Sequence, residues 1–284
     1  GFLAGADLRM LGGGALASQG ASRKEQLEGI SALSRMFRKL ETSGHSAKAL
    51  QNGEAYAKPV AAAVNGLALG GGLEVALACH YRVVADDPKI QLGLVEAKVG
   101  LMPGAGGTQR MARLMGAAAS LPLMLEGRTL NPAAALKGGL ITKVVPAADL
   151  IAEAKALIKS GQAPSVQPWD QKGFKIPGGD PYHPAANQVF VAGSAMLRAK
   201  TQGNYPAPEA IMSAVYEGIL VPIDAGLRIE ARYMTKVMMH PASRNMIRSL
   251  FINMQKANKL ARRPKDAPPT KLSRIGVLGA GMMG

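Results

Sequence analysis

The chain has 284 residues, of which 48% are hydrophobic and only 4% aromatic, a composition typical of an α/β protein with one large domain and an appendage. Its longest uncharged apolar stretch, residues 60–73, is short and rich in glycine, which excludes a membrane-spanning helix. The single cysteine, Cys79, lies in an apolar run and excludes a disulfide framework, which fits a reducing cytoplasm.

The chain is strongly basic, with 34 Lys and Arg against 19 Asp and Glu and a formal charge of +15. Such a charge favours anionic partners, either nucleic acid or a phosphorylated cofactor. The basic residues are scattered and lack the interleaved aromatic side chains on which bases stack. We therefore expect most of them to form a solvated surface, and we rank nucleic-acid binding last.

Residues 24–85 alternate between helix and strand patterns. Apolar residues recur at helical spacing over 24–40, residues 42–57 are polar and irregular, and 59–64 has the composition of a buried strand. A glycine-rich turn at 65–72 then leads directly into a predicted helix at 73–79, and a second strand follows at 81–85.

The alternation continues to residue 159, which predicts an α/β fold. The predicted elements are a Gly-Pro-rich loop at 100–107, helices at 108–115 and 118–126, a strand at 141–145 and a helix at 149–159.

Composition changes after residue 160. Residues 161–184 are rich in Pro and Gly, and helical patterns follow, with one helix ending at His240-Pro241 and Ser243 predicted as the N-cap of the next. A basic, Pro-rich linker then leads to a predicted strand at 274–278. We therefore divide the chain into residues 1–160, a loop and helical linker at 161–270, and a third unit at 271–284.

The most specific stretch lies between residues 61 and 113. It contains Asn65-Gly66-x-Ala68-x-Gly70-Gly71-Gly72-x-Glu74, followed by Glu96-x-x-x-Gly100-x-x-Pro103-Gly104-x-Gly106-Gly107-Thr108. These motifs, with Phe2-Leu3-Ala4-Gly5-Ala6-Asp7-Leu8 before them, resemble the crotonase, or enoyl-CoA hydratase/isomerase, superfamily over residues 1–160. The resemblance implies a spiral of ββα turns whose first strands would precede Gly1, so we expect a fragment with an exposed sheet edge, poor solubility and little activity.

The resemblance implies that the chain hydrates trans-2-enoyl-CoA thioesters to 3-hydroxyacyl-CoA in fatty acid β-oxidation. Addition of water places negative charge on the thioester oxygen, which preorganised backbone N–H groups can stabilise. By resemblance, the N–H groups of Ala6 and Gly71 form this oxyanion hole. The alternative is a purely structural role, in which the glycines only permit a tight crossing between strand and helix.

The same resemblance makes Glu74 and Glu96 the catalytic pair. Glu74 would orient and deprotonate water while Glu96 protonates the α-carbon, and two carboxyl groups on opposite sides of one water can do both. Δ3-Δ2 isomerisation remains a second activity open to Glu96. The alternative is that both are structural carboxylates, and the segment between them is slightly longer than in a single-function hydratase.

The coenzyme A part of the substrate is expected at the N-terminal motif, by resemblance at Ala4, Asp7, Leu8 and Arg9. Arg9 could face a phosphate, and a solvated arginine is an equal alternative. No metal site is expected.

The C-terminal run contains Gly279-x-Gly281-x-x-Gly284 after the predicted strand, the fingerprint of a dinucleotide-binding Rossmann fold. A hydratase followed by this fingerprint is similar to the multifunctional fatty-acid-oxidation proteins, which carry an NAD-dependent 3-hydroxyacyl-CoA dehydrogenase. We therefore expect NAD to bind only in a longer parent, and a thiolase subunit to join it in an oligomeric complex. The expected location is the bacterial cytoplasm, or mitochondria or peroxisomes in a eukaryote.

Two other functions stay open at this stage. The hydratase half could be degenerate in a protein that acts as a dehydrogenase, or the chain could be a crotonase relative that binds nucleic acid.

Overall fold

The computed structural model describes residues 2–3, 5, 22–160, 165–264, 266, 271–277, 279 and 281. Within them, short parallel strands alternate with helices, which confirms the predicted α/β class. The strands are β1 Ala61–Val64, β2 Ala68–Leu69, β3 Tyr81–Ala85, β4 Leu92–Gly93 and β5 Lys143–Val145. None of the helices in this part of the chain is long and apolar enough to cross a bilayer.

The strands form two sheets. β1, β3 and β5 pair in parallel in that order, with Ala61 opposite Tyr81 and Val83 opposite Lys143. β2 pairs in parallel with β4, and Leu3 bridges Ala68, so the N-terminal segment joins the second sheet. This second sheet leads directly into the glycine-rich turn.

Helices cover the sheets and continue beyond them. They are α1 Arg23–Thr42, α2 Ala47–Gln51, α3 Gly71–Ala78, α4 Gly107–Glu126, α5 Pro132–Lys137, α6 Leu150–Lys159, α7 Pro184–Thr201, α8 Pro206–Gly218, α9 Ile223–Met239, α10 Pro241–Met246 and α11 Met254–Asn258. A π-helical turn, Ile247–Asn253, joins α10 to α11, and 3-10 turns lie at Glu96–Val99, Ala147–Asp149 and Pro168–Asp170.

Helix α1 begins at a capping box, in which Ser22 Oγ accepts a hydrogen bond from Glu25 N–H and Glu25 accepts one from Ser22 N–H. Residues 42–57, predicted to be irregular, contain the short helix α2. Its N-cap is Ser46, whose side chain accepts a hydrogen bond from Ala49 N–H.

Helix α4 contains a kink where the sequence predicted a break between two helices. Gly116 interrupts it with φ 79° and ψ 163°, a conformation that favours glycine. A Cβ atom built on Gly116 would lie 2.2 Å from the carbonyl oxygen of Pro177. The kink therefore also makes room for the chain that crosses α4 there.

Two predicted features differ in the structure. Ser243 does not cap a helix, because α10 begins at Pro241, whose φ is already helical, and His240 Nδ1 accepts a hydrogen bond from Ala242 N–H instead. Ser243 Oγ donates to Val237 O at 2.7 Å. Residues 274–277 form no strand, because no strand of the described chain pairs with them, and Ile275 is 78% exposed.

The larger of two hydrophobic clusters joins the sheets to the helices that follow residue 184. Leu73 in α3, Met111 in α4, Ile211 in α8 and Val237 in α9 belong to a single buried cluster. The helices after residue 184 therefore pack onto the first 160 residues, while the predicted division into domains at residue 160 stays a prediction.

Candidate active site

The glycine turn brings three segments together at the start of α3. Gly70 has φ 54°, which favours glycine, and a Cβ atom on Gly72 would lie only 1.9 Å from the carbonyl oxygen of Leu3. A Cβ atom on Gly5 would lie 3.6 Å from Gly71 N. Among the described residues, none accepts a hydrogen bond from Gly71 N–H, so this donor is available at the first turn of a helix.

Glu74 lies in that first turn and is 4% exposed. Its Oε1 accepts hydrogen bonds from the N–H groups of Ala105 and Gly107, both at 2.8 Å. A Cβ atom on Gly107 would lie 2.8 Å from the same oxygen, so only glycine permits this approach. The loop before α4 thus fixes one oxygen of the carboxyl group and leaves Oε2 on the side of Gly71.

Glu96 is the first residue of the 3-10 turn Glu96–Val99 and packs against the same glycines. A Cβ atom on Gly70 would lie 3.0 Å from Glu96 Oε1. Glu96 Oε2 is buried and has no hydrogen-bond partner among the described residues. Glu74 and Glu96, which are 22 positions apart in the sequence, therefore meet at one turn.

Both carboxyl groups line a cavity of about 460 Å³. Its remaining walls are mainly apolar, and they come from α1, the 3-10 turn, α9 and the π-helical turn. The side chains on these walls include Ile30, Leu33, Val99, Met234, Met238 and Phe251. The cavity can hold an apolar chain with two carboxyl groups at one end.

Burial changes the proton affinity of both groups. Burial raises the pKa of Glu74, and the hydrogen bonds from the N–H groups of Ala105 and Gly107 oppose this change. Burial also raises the pKa of Glu96 well above its usual range, and the negative charge of Glu74 adds to the increase. A cavity with one ionised and one protonated carboxyl group can both accept and donate a proton.

The structure adds a third buried carboxyl group, that of Glu230 in α9, which the sequence did not predict. Its Oε1 accepts from Gly106 N–H at 2.5 Å, and its Oε2 accepts from Thr108 N–H at 2.9 Å and contacts the Thr108 hydroxyl. Burial, followed by the charge of Glu74, raises the pKa of Glu230 to about 8. The available signal was an acidic residue on the apolar face of an amphipathic helix, three positions after Leu227 and four before Met234.

Arg110 supports the same loop from the other side. Its Nη1 donates to Ala105 O at 2.7 Å, while its Nε and Nη2 bind the two carboxylate oxygens of Glu41. Arg38 joins Glu41 to Asp170 and Asp224. The loop that binds Glu74 is therefore attached to a buried network of ion pairs.

Of the predicted site residues, Glu74, Glu96 and Gly71 lie together at the cavity. Five others, Ala4, Ala6, Asp7, Leu8 and Arg9, lie outside the described residues, as does Gly284. Gly279 and Gly281 have open space where a Cβ atom would be. No group of three or more potential metal ligands occurs in the described part of the chain.

Comparison with known proteins gives the following matches. Residues 40–165 match the family model described as Enoyl-CoA hydratase/isomerase. The chain is 38% identical over 283 residues to the fatty acid oxidation complex subunit alpha of Shewanella loihica, a match that covers 100% of this chain and 37% of the relative's length. The chain thus spans little more than a third of that protein.

A solved structure also resembles the chain as a whole. Human mitochondrial delta3-delta2-enoyl-CoA isomerase superposes with a TM-score of 0.52 at 18% identity, covering 89% of this chain and 76% of the isomerase. At this identity the likeness concerns the fold alone, and it supports the crotonase-like fold expected from the motifs.

Proposed function

Because residues 40–165 match the family model described as Enoyl-CoA hydratase/isomerase, we propose that the chain adds water to trans-2-enoyl-CoA thioesters and forms 3-hydroxyacyl-CoA. The observation that carries the proposal is the meeting of Glu74 and Glu96 at one apolar cavity beside the free N–H group of Gly71. The elements of an acid, a base and an oxyanion donor are all present there.

Each step of the reaction has a residue of the site to carry it out. The thioester oxygen accepts a hydrogen bond from Gly71 N–H, and the N–H group of Ala6 is the second donor that the family resemblance implies. Ionised Glu74 removes a proton from water, and the water oxygen bonds to C3 while the C2–C3 π electrons move toward the thioester oxygen. Protonated Glu96 then delivers its proton to C2.

The environments of the two carboxyl groups favour these roles. Hydrogen bonds from Ala105 and Gly107 stabilise the ionised form of Glu74. Burial and the neighbouring charge of Glu74 raise the pKa of Glu96 and so favour its protonated form. Each turnover leaves Glu74 protonated and Glu96 ionised, so Glu74 must release a proton to solvent and Glu96 must take one up before the next turnover.

We predict that Glu74→Gln and Glu96→Gln each lower kcat for crotonyl-CoA hydration by about 10²- to 10⁴-fold, because each removes one proton-transfer group. The loss of absorbance of the conjugated thioester measures the rate. Glu209→Gln, which removes an exposed carboxylate from α8, is the control and should leave the rate unchanged. Unchanged hydration by Glu74→Gln would refute the assignment.

Isomerisation of 3-enoyl-CoA to 2-enoyl-CoA is a second candidate activity. It needs one group that moves a proton between C4 and C2, and Glu96 Oε2 is buried at the cavity with no described hydrogen-bond partner. On this proposal Glu96→Gln lowers the rates of both activities, whereas Glu74→Gln lowers the rate of hydration and spares isomerisation.

We infer that NAD binds in a longer parent protein and not in this chain. The described residues 271–277 form no strand, and a Cβ atom on Gly279 or Gly281 would have no neighbour within 4 Å. We propose that an NAD-dependent dehydrogenase activity and a thiolase partner belong to a longer protein like the Shewanella subunit. The only direct support is that the relative is described as a subunit of a fatty acid oxidation complex.

A further inference from the structure

Two carboxyl groups share one short run of backbone. The N–H groups of Ala105 and Gly107 point to Glu74, while those of Gly106 and Thr108 point to Glu230. Successive N–H groups of this loop therefore alternate between two acceptors on opposite sides. The acceptors belong to α3 and α9, which are far apart in the sequence.

We propose that Glu230 is a positioning residue, which holds the loop 104–108 in the conformation that aims two N–H groups at Glu74. The proposal rests on the hydratase function proposed above. Glu230 itself does not line the cavity, so its effect on the reaction must pass through the loop and Glu74.

The packing of α9 leaves the loop little freedom. A Cβ atom on Gly104 would lie 2.8 Å from Met234 Cγ, and one on Gly106 would lie 2.8 Å from Leu227 Cδ2. The loop therefore lies flat against α9, with Glu230 between these two contacts along the helix. If Glu230 releases Gly106 and Thr108, the adjacent peptide units can rotate, and the N–H groups of Ala105 and Gly107 then turn away from Glu74.

Glutamine cannot replace Glu230 at this position. Both carboxyl oxygens of Glu230 accept a backbone N–H group, one from Gly106 and one from Thr108. Whichever way the glutamine amide is turned, its NH₂ group faces one of these donors and cannot accept from it. Glu230→Gln therefore removes at least one of the two bonds while it preserves size and shape.

The role of Glu230 is tested by comparing the kinetics of Glu230→Gln with those of Thr108→Val, Thr108→Ser and the control Glu209→Gln, all in the full chain. Thr108→Val removes the hydroxyl that contacts Glu230, and Thr108→Ser keeps it. We expect Glu230→Gln to lower kcat for crotonyl-CoA by about 10- to 100-fold with KM changed less than about threefold, because the reacting group is misplaced and substrate binding is not. Thr108→Val should show a smaller loss of kcat, and Thr108→Ser should restore the wild-type rate.

Hydrogen exchange gives a readout that does not depend on activity. In Glu230→Gln the amides of residues 105–107 should exchange at least about tenfold faster, while those of β3 stay protected. If the wild-type chain shows no hydration and these amides still exchange faster in Glu230→Gln than in the wild type, the role of Glu230 is supported and the proposed function is refuted. A folded Glu230→Gln variant with unchanged kcat and unchanged exchange would overturn the inference. If that variant does not fold, equal kcat and equal exchange in Thr108→Val and Thr108→Ser overturn it.

Discussion

Three buried carboxyl groups, those of Glu74, Glu96 and Glu230, surround the loop before α4, and burial raises the pKa of each. Each of them therefore binds its proton more tightly in the folded chain than in the unfolded chain. These raised pKa values make the stability of the fold depend on pH, because unfolding releases the protons that only the folded state holds.

Glu230 gives a pH window for this linkage. Its pKa rises from 4.5 to about 8 on folding, so its contribution to stability is fully present below pH 4.5 and is lost as the pH rises toward 8. We expect the free energy of unfolding to fall between pH 5 and 8, with up to about 1.4 kcal/mol per pH unit from this one group.

Urea unfolding at several pH values measures this dependence, and Glu230→Gln isolates the contribution of Glu230. The variant lacks the titrating group, so its stability should fall less steeply with pH than that of the wild type. Parallel curves for the two proteins would contradict the prediction.

The sequence predicted some residues of the site and missed others for a physical reason. Gly70, Gly71 and Glu74 lie within one turn, so their local spacing alone places them together. Glu230 lies 122 residues after Thr108, and no local pattern records which loop it contacts. Only the packing of α9 against that loop establishes the pair.

At the scale of elements, the kink in α4 combines a strained backbone with a close contact. Gly116→Ala requires φ near 79° and brings a methyl group within 2.2 Å of Pro177 O, a backbone atom that cannot turn aside. We expect it to lower the free energy of unfolding by about 2 to 4 kcal/mol, from strain together with overpacking. Thermal or urea unfolding measures the loss.

Gly29→Ala is the matched control for this prediction. Gly29 lies in the interior of α1, and a Cβ atom there has no neighbour within 4 Å. Alanine should stabilise the helix by about 0.5 to 1 kcal/mol. A Gly116→Ala variant as stable as Gly29→Ala would show that the kink is not constrained.

The elements themselves were predicted unevenly. The strand at Tyr81–Ala85 follows from its β-branched residues and bounding polar segments, and the structure has it at the predicted position. The strand at 274–278 had an equally clear pattern, but a strand exists only beside another strand. Composition can thus indicate that a segment is able to form a strand, but it does not show that a second strand lies beside it.

At the scale of the whole molecule, one network of ion pairs, all but that of Asp224 buried, joins distant parts of the chain. Arg38 and Glu41 in α1, Arg110 in α4, Asp170 before α7 and Asp224 in α9 form it. Arg110 and Glu41 have no exposed side-chain surface. The network therefore ties the first 160 residues to the helices that follow.

We expect Glu41→Gln to lower the free energy of unfolding by about 3 to 5 kcal/mol, because it leaves the fully buried guanidinium group of Arg110 without its carboxylate partner. Glu28→Gln on the same helix removes only the exposed pair with Arg35 and should cost less than about 1 kcal/mol. Equal losses of unfolding free energy in the two variants would contradict the view that burial makes the Glu41 ion pairs important for stability. Both measurements use urea unfolding of the full chain.

The position of Glu230 also limits how far the chain can be truncated without disturbing the site. The family match ends at residue 165, yet the carboxylate that binds Gly106 and Thr108 lies in α9, which ends at Met239. A gene designed to the matched segment, residues 40–165, would remove the walls that α1, α9 and the π-helical turn give the cavity and leave two buried N–H groups without an acceptor. The shortest polypeptide able to hold Glu74 in place therefore extends at least to Met239, well beyond the end of the family match at residue 165.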